Sequence, residues 1–116
     1  MPEIQTTLQV RRATESTAII ALRGELTGAT ESALMDAYAQ AGDALTRVIV
    51  LDFTELEYMN STGIGLLVTL LVRAQRQRKR LLAFCLSDHY REILSLTRLD
   101  EAIGIVDSET EALAGA

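Results

Sequence analysis

The spacing of hydrophobic residues along the chain switches between two periods, and each period predicts one type of secondary structure. Residues 4–11 alternate between apolar and polar, and residues 17–22 are β-branched and apolar, so both segments are predicted to be strands. A turn at Glu15 and Ser16 joins them into an amino-terminal hairpin. Gly24 is expected to end the second strand.

Helical spacing, with apolar residues three and four positions apart, begins at Glu31 and predicts a helix that stops at Gly42. Two apolar runs, residues 47–53 and 81–86, predict central strands covered on both faces. Residues 54–60 are predicted to form a loop after the first of these strands. The remaining predicted elements are helices at 61–77 and 88–97, an edge strand at 103–106 and a final helix from 108 to about 113.

Strands that alternate with helices imply crossover connections and a largely parallel sheet. The predicted fold class is therefore α/β: a mixed, mostly parallel central sheet with an N-terminal β-hairpin and about four helices. No linker, repeat or low-complexity stretch divides the 116 residues. Residues 1–116 are therefore expected to form a single domain.

The composition narrows the classes of function. With 48% hydrophobic residues the chain can form a compact core, and its formal net charge of -5 disfavours binding to nucleic acid or to an anionic membrane. The basic residues between 73 and 80 are interpreted as the solvated end of a helix, because no aromatic residues are interleaved with them. The sequence shows no membrane span and no signal peptide, so a cytoplasmic protein is expected.

Signatures of catalysis are scarce. His89 is the only histidine and Cys85 the only cysteine, and no Gly-rich phosphate-binding loop with its lysine occurs, so neither a metal nor a cofactor is expected. Cys85 stands in an apolar run and is interpreted as a small buried residue. A hydrolase or nucleotidase with Ser61 as nucleophile would need His89 as its base and is ranked last. We therefore do not expect an enzyme.

The candidate functional site is the segment 51–65, because a buried strand there runs into a helix that begins at Ser61. Such strand-to-helix junctions carry sites in many α/β proteins. The first N–H groups of a helix lack partners within it, so the Ser61 hydroxyl would accept one as an N-cap, and a phosphate there would accept several. The residues leave both interpretations open. Gly63 and Gly65 each cost about 1 kcal/mol of helix propensity, which predicts close approach of another backbone or of a partner protein.

The helix that follows is apolar over about twice the arc that a surface helix needs. Its core-facing side is predicted to consist of Ile64, Leu67, Val68, Leu71 and Ala74. Leu66 and Leu70 widen the apolar surface. Either neighbouring helices cover these two leucines, or they form an exposed docking patch beside Ser61.

Three passages of the sequence resemble the STAS domain of anti-sigma factor antagonists, and the likeness extends over essentially the whole chain. Residues 23–27 are similar to the family's Gly-Glu-Leu-Asp, residues 48–53 to its central strand that ends in aspartate, and residues 58–65 to its switch, Asp-Ser-Ser/Thr-Gly-hydrophobic-Gly. The resemblance implies the STAS fold and a partner-switching cycle. In this cycle the antagonist binds a GHKL-type serine kinase that doubles as an anti-sigma factor, and thereby frees the sigma factor.

The resemblance also implies that the kinase uses ATP to phosphorylate the switch serine, which breaks the complex, and that a PP2C-type phosphatase restores it. The phosphorylated serine corresponds to Ser61, with Thr62 as a weaker candidate. The acids of the switch pocket correspond to Glu25 and Asp52. The partner-binding residues are expected to be Thr27, Asn60, Ser61, Thr62, Gly63, Ile64, Leu66 and Leu70.

Two residues depart from the family pattern, since Asn60 and Thr27 replace aspartates. Both differences remove negative charge near the switch, which would either weaken recognition by the kinase or make a phosphate at Ser61 easier to hold. They leave open a second function, a STAS scaffold or adaptor that binds a signalling partner without phosphorylation. In either role a monomer or weak dimer is expected.

Overall fold

The computed structural model describes residues 6–114, in which strands and helices follow one another in the predicted order. Ile4, at the start of the first predicted strand, lies outside the described residues. The strands are β1 (Thr6–Arg12), β2 (Thr17–Leu26), β3 (Val48–Met59), β4 (Arg80–Phe84) and β5 (Gly104–Val106). The helices are α1 (Glu31–Ala41), α2 (Ser61–Arg76), α3 (Asp88–Leu96) and α4 (Glu109–Ala114), with short 3-10 turns at Gly28–Thr30 and Leu99–Glu101.

The five strands form one sheet in the order β1-β2-β3-β4-β5. β1 pairs with β2 as an antiparallel hairpin, and every other neighbouring pair is parallel. Parallel neighbours need a crossover connection, and α1, α2 and α3 provide the three crossovers. The predicted α/β class, with its mixed sheet and N-terminal hairpin, is confirmed.

Alternate residues of the central strands face two separate cores. On one face, Ile20 of β2 and Leu51 of β3 pack beneath α1, α2 and α3. On the other face, Ile19 and Val50 pack with Ala112 of α4. Because successive strand residues point to opposite faces, covering both faces requires the unbroken apolar runs seen in the sequence. No helix within residues 6–114 has the length and hydropathy needed to cross a bilayer.

β2 and β3 extend further than the hydrophobic pattern predicts. β2 continues through Gly24 to Leu26, and residues 54–59, predicted to be a loop, form the second half of β3. Gly24 has a φ of 84°, a left-handed conformation that glycine adopts readily, and the register between the two strands shifts beside it. The loop prediction was wrong because this half of β3 is mostly exposed. Backbone hydrogen bonds to β2 stabilise this half of the strand. A pattern of hydrophobic residues indicates which residues are buried, so it does not detect an exposed strand.

Cys85 is exposed, so its interpretation as a buried residue was wrong. β4 ends at Phe84, and Cys85 adopts a left-handed φ of 62°. This conformation breaks the alternation of the strand, and Leu86 takes the next buried position, with 7% of its surface exposed.

Candidate functional site

The amino terminus of α2 is fixed by Asn60. Its side-chain Oδ1 accepts a hydrogen bond from the Gly63 N–H at 2.8 Å, and its backbone N–H donates to the Leu26 carbonyl at 3.3 Å. Asn60 is therefore the N-cap and Ser61 the first helical residue, so the interpretation of Ser61 as the N-cap was wrong. Asparagine is favoured at this position, and its bond to Leu26 ties the helix to β2.

Gly63 lies against the end of β2. A Cβ atom at Gly63 would come within 2.1 Å of the Leu26 carbonyl oxygen, so a side chain cannot be accommodated there. The predicted close approach of another backbone is confirmed, and that backbone is the protein's own. Beside it, a Cβ atom at Gly28 would lie 3.2 Å from Thr62 Cγ2. The first turn of α2 is thus packed on residues 26–28.

Thr27 shapes the turn on which the helix start rests. Its hydroxyl accepts a hydrogen bond from the Ala29 N–H at 3.2 Å, and its N–H donates to the Thr30 hydroxyl at 3.1 Å. The bond to the Thr30 hydroxyl is part of a capping box at the 3-10 turn, in which Thr27 is the N-cap and Thr30 the N3 residue. Thr27 therefore has a structural role beside the site, and its contact with a partner stays a prediction.

Ser61 is exposed at the start of α2. Within residues 6–114 its hydroxyl takes part in no hydrogen bond. The N–H groups of Gly63 and Ile64 bond to Asn60, but those of Ser61 and Thr62 have no acceptor within the helix. An anion on Ser61 would therefore meet two available N–H groups and the positive end of the helix dipole.

The exposed face of α2 differs from the predicted one. Leu66 and Leu70 are buried, at 5% and 0% exposure. Of the two alternatives for these leucines, coverage by neighbouring elements is therefore correct, and the exposed docking patch at these two residues is wrong. The exposed apolar side chains are Val68 and Val72, at 38% and 40%, and Ile64 is half-buried. The buried face is turned by roughly 65° from the predicted one at 100° per residue, because α1 and the sheet cover the side that carries the two leucines.

One line of residues runs along the exposed face of α2. Ser61, Gly65, Val68 and Val72 follow one another at intervals of four and three, so they share a face, and we call these four residues the α2 strip. α2 contains no acidic residue. Arg76 is exposed where the strip ends.

The two acids predicted to form a switch pocket lie apart. Asp52 sits in the middle of β3, opposite Ala21 of β2, and its carboxylate accepts hydrogen bonds from groups two residues further along its own strand. The start of α2 adjoins Leu26, five residues beyond Ala21, or about 17 Å at about 3.3 Å per residue. Asp52 is therefore outside the site, and the pocket predicted to contain both acids is wrong. Glu25 immediately precedes Leu26 and lies near the helix start.

Tyr90 of α3 belongs to the framework of the site, and the sequence did not indicate this role. Its hydroxyl accepts a hydrogen bond from the Met59 N–H at 2.8 Å and donates to the Met59 carbonyl at 3.3 Å. Met59 directly precedes Asn60, so α3 fixes the strand end that leads into α2. The two residues are 31 positions apart, and no local pattern indicates such a bond.

Three further features of the described part of the chain concern the enzyme alternative. A pocket beside Tyr90 has a volume of about 140 Å³, below the roughly 300–1,000 Å³ of typical small-molecule sites. Within residues 6–114 no three His, Cys, Asp or Glu side chains are placed to hold a metal ion. His89 is exposed and its ring lies against Tyr90, with 5.0 Å between centroids, and it forms no hydrogen bond with Ser61.

Sequence comparison supplies the family. A family model described as "Mlab, STAS domain" matches residues 9–107. The anti-sigma-B factor antagonist of Listeria monocytogenes is 34% identical over 64 residues, which cover 55% of this chain and 56% of that protein. The match thus spans about half the length of this curated relative.

Solved structures share the fold. An anti-sigma factor antagonist from Mycobacterium paratuberculosis has a TM-score of 0.82 at 18% identity, covering 98% of this chain and 96% of that one. The Bacillus cell fate determinant SpoIIAA in its phosphorylated form has a TM-score of 0.68 at 22% identity, covering 93% of this chain and 97% of that one. Identities this low show the fold alone, whereas the family model covers most of the chain. The protein therefore belongs to the STAS domain family.

Proposed function

We propose that this protein is an anti-sigma factor antagonist that acts by partner switching in the cytoplasm. In its unphosphorylated form it binds an anti-sigma factor through the start of α2 and the α2 strip, and so frees a sigma factor for transcription. The observation that carries the proposal is the exposed Ser61 hydroxyl at the start of a helix whose exposed face holds Val68 and Val72. The names of the Listeria and Mycobacterium relatives support the same function.

Phosphorylation of Ser61 is the proposed switch. The anti-sigma factor, a GHKL-type serine kinase, transfers the γ-phosphoryl group of ATP to Ser61 Oγ with release of ADP and a proton. A PP2C-type phosphatase later hydrolyses the phosphoserine. Thr62 is the weaker candidate because its Cγ2 faces the turn at Gly28. This protein is the substrate and binding partner in the cycle, as a monomer or weak dimer, and catalyses neither step.

The phosphate acts through its charge. A phosphoserine carries about -1.5 to -2 at neutral pH. The N–H groups of Ser61 and Thr62 hold the phosphate at the helix start, beside the other residues of the α2 strip. A partner that covers the strip would have to desolvate this charge, which is unfavourable without a compensating cation. Binding is lost while the fold is kept.

Purified anti-sigma factor kinases of the same organism test the proposal. With the cognate kinase and ATP, the wild-type protein should gain one phosphate in its intact-mass spectrum and dissociate. Ser61→Ala should stay unmodified and bound, and Ser61→Asp should bind at least about 10-fold more weakly, since a buried uncompensated charge costs several kcal/mol.

The matched control is Ser95→Asp, which adds the same charge at an exposed position of α3 and should bind like wild type. An unchanged mass after incubation with kinase and ATP would contradict the assignment. Equal modification of Ser61→Ala would do so as well.

A second function, a STAS scaffold or adaptor that binds a signalling partner without phosphorylation, is favoured by the neutral residues Asn60 and Thr27. An aspartate would serve as an N-cap as well as Asn60 does, so folding alone does not explain the missing charge. An adaptor would bind its partner equally well with or without ATP, and Ser61→Asp would not weaken the complex. The same binding measurements therefore separate the two functions.

A further inference from the structure

Gly65 has no structural reason to be glycine within this protein. A Cβ atom built on it would meet no atom within 4 Å, in contrast to Gly63, where the Leu26 carbonyl leaves no room. Its φ is not in the left-handed region either, since Gly24 alone among the described glycines has a positive φ. Glycine in a helix interior is about 1 kcal/mol less favourable than alanine. Glycine at position 65 therefore lowers the stability of α2, and no contact within the protein requires it.

The position of Gly65 on the α2 strip suggests why a side chain is absent there. It lies one turn after Ser61 and just before Val68 and Val72. The absence of a side chain there leaves a notch, in which a side chain of a partner protein could contact the helix backbone. Residues one turn apart on a helix have their Cβ atoms about 5–6 Å from each other. A phosphate on Ser61 would therefore stand at the edge of the notch.

The charges around the α2 strip indicate which chemical groups a partner protein would place against it. α2 has no acidic residue, although the whole chain carries -5. The guanidinium of Arg73 is engaged by Tyr38, 4.6 Å from the ring centroid, which leaves Arg76 exposed at the end of the strip. Arg76 lies one turn after Val72 but three turns, or about 17 Å, after Gly65. A partner segment that packs along the two valines would therefore need its carboxylate about three helical turns from the apolar group at Gly65.

We infer that Gly65 is a specificity-determining residue of the antagonist: an apolar side chain of the anti-sigma factor enters the notch and contacts the α2 backbone, while an acidic residue of the same segment pairs with Arg76. This inference rests on the proposed function and deepens it. It also gives a physical reason for the proposed loss of binding on phosphorylation of Ser61, because a phosphate at the edge of the notch places a charge against the inserted apolar group.

Two substitutions at Gly65 test the inference against purified GHKL-type anti-sigma factor kinases of the same organism. Gly65→Ala should raise the unfolding midpoint, because the helix gains propensity, yet bind the kinase about 10-fold more weakly, because a methyl group fills part of the notch. Gly65→Gln should bind more weakly still. Opposite signs for stability and affinity exclude misfolding as the cause.

Two controls are matched to these changes. Ala33→Gln places the same side chain on the exposed face of α1 and should bind like wild type. Arg76→Glu should weaken binding, whereas Arg78→Glu, just beyond the end of the helix, should weaken it less.

Each outcome of this experiment either supports or overturns the role of Gly65. Wild-type affinity in Gly65→Gln would overturn the role of Gly65 and leave the proposed function standing. A lower unfolding midpoint in Gly65→Ala would show that the fold needs the glycine and would also overturn the inference. If wild-type protein binds none of the purified kinases, the proposed function is wrong and the inference falls with it.

Discussion

Two glycines at the start of α2, Gly63 and Gly65, look equivalent in the sequence and differ in the structure. At Gly63 a Cβ atom would press into the Leu26 carbonyl at 2.1 Å, whereas at Gly65 it would meet nothing within 4 Å. The propensity cost of each was evident from the residue type. What each glycine accommodates depends on residues far away in the chain, so only the folded structure separates an internal requirement from an external one.

Gly63→Ala should destabilise the protein strongly. The added methyl cannot avoid a backbone oxygen, and overpacking of this kind costs about 1–3 kcal/mol, with more expected where a helix must move. Urea denaturation measures the change, with Gly65→Ala as the matched control of unchanged or higher stability. A free energy of unfolding within about 0.5 kcal/mol of wild type would mean that the contact with Leu26 is not rigid.

At the scale of elements, α2 shows the difference between an apolar pattern and an orientation. Its boundaries agree with the prediction to within a residue, because helical spacing and the polar residues before it mark the start and end. Its rotation does not agree. An apolar arc wider than the core needs permits several orientations, and packing against α1 and the sheet selected the one that buries Leu66 and Leu70.

The cap of α2 gives a prediction at this scale. Asn60→Ala should lower the free energy of unfolding by about 1 kcal/mol, because the Gly63 N–H loses its acceptor in the first turn. Asn60→Asp keeps an acceptor oxygen and adds a charge that the helix dipole favours, so it should be at least as stable as wild type. Thermal unfolding of the two variants at low ionic strength measures both effects. Equal stability of Asn60→Ala and wild type would contradict the role of this hydrogen bond.

β3 makes the complementary point. Its first half was predicted because both faces are buried, and its second half was missed because residues 54–58 are mostly exposed. The second half is nevertheless a strand, paired with β2 as far as Leu26 and Met59. Strand formation there depends on backbone partners, which hydrophobic alternation does not report.

At the scale of the whole molecule, the start of α2 is held from two sides. The Leu26 carbonyl receives the Asn60 N–H from the β2 side, and Tyr90 of α3 bonds the backbone of Met59. Ser61 itself contributes nothing to this framework, since its hydroxyl is exposed and forms no hydrogen bond within residues 6–114. A modification at Ser61 therefore changes the surface that a partner meets without loosening the support beneath it.

Phosphorylation of Ser61 should accordingly leave the fold intact. The phosphorylated protein should unfold at the same or a higher denaturant concentration, with a gain of at most about 1 kcal/mol from the helix dipole. Amide hydrogen exchange across β3 and α3 should be unchanged. Increased exchange in these elements would indicate that the switch works by local unfolding, which would contradict a purely electrostatic block of binding.

The sequence by itself determined the order of strands and helices, the α/β class and the helix that begins at Ser61, because hydrophobic periodicity and capping residues act over a few neighbouring positions. It also carried the resemblance on which the proposed role of Ser61 rests. Only the tertiary structure decided that Asn60 caps the helix and that Asp52 lies outside the site. It also decided that Val68 and Val72, rather than the two leucines, are on the exposed face. Finally, it showed that a side chain would fit at Gly65 and not at Gly63. The reason is physical: these outcomes depend on contacts between segments distant in the chain, and the spacing of residues within one segment does not encode which of its faces a neighbour will cover.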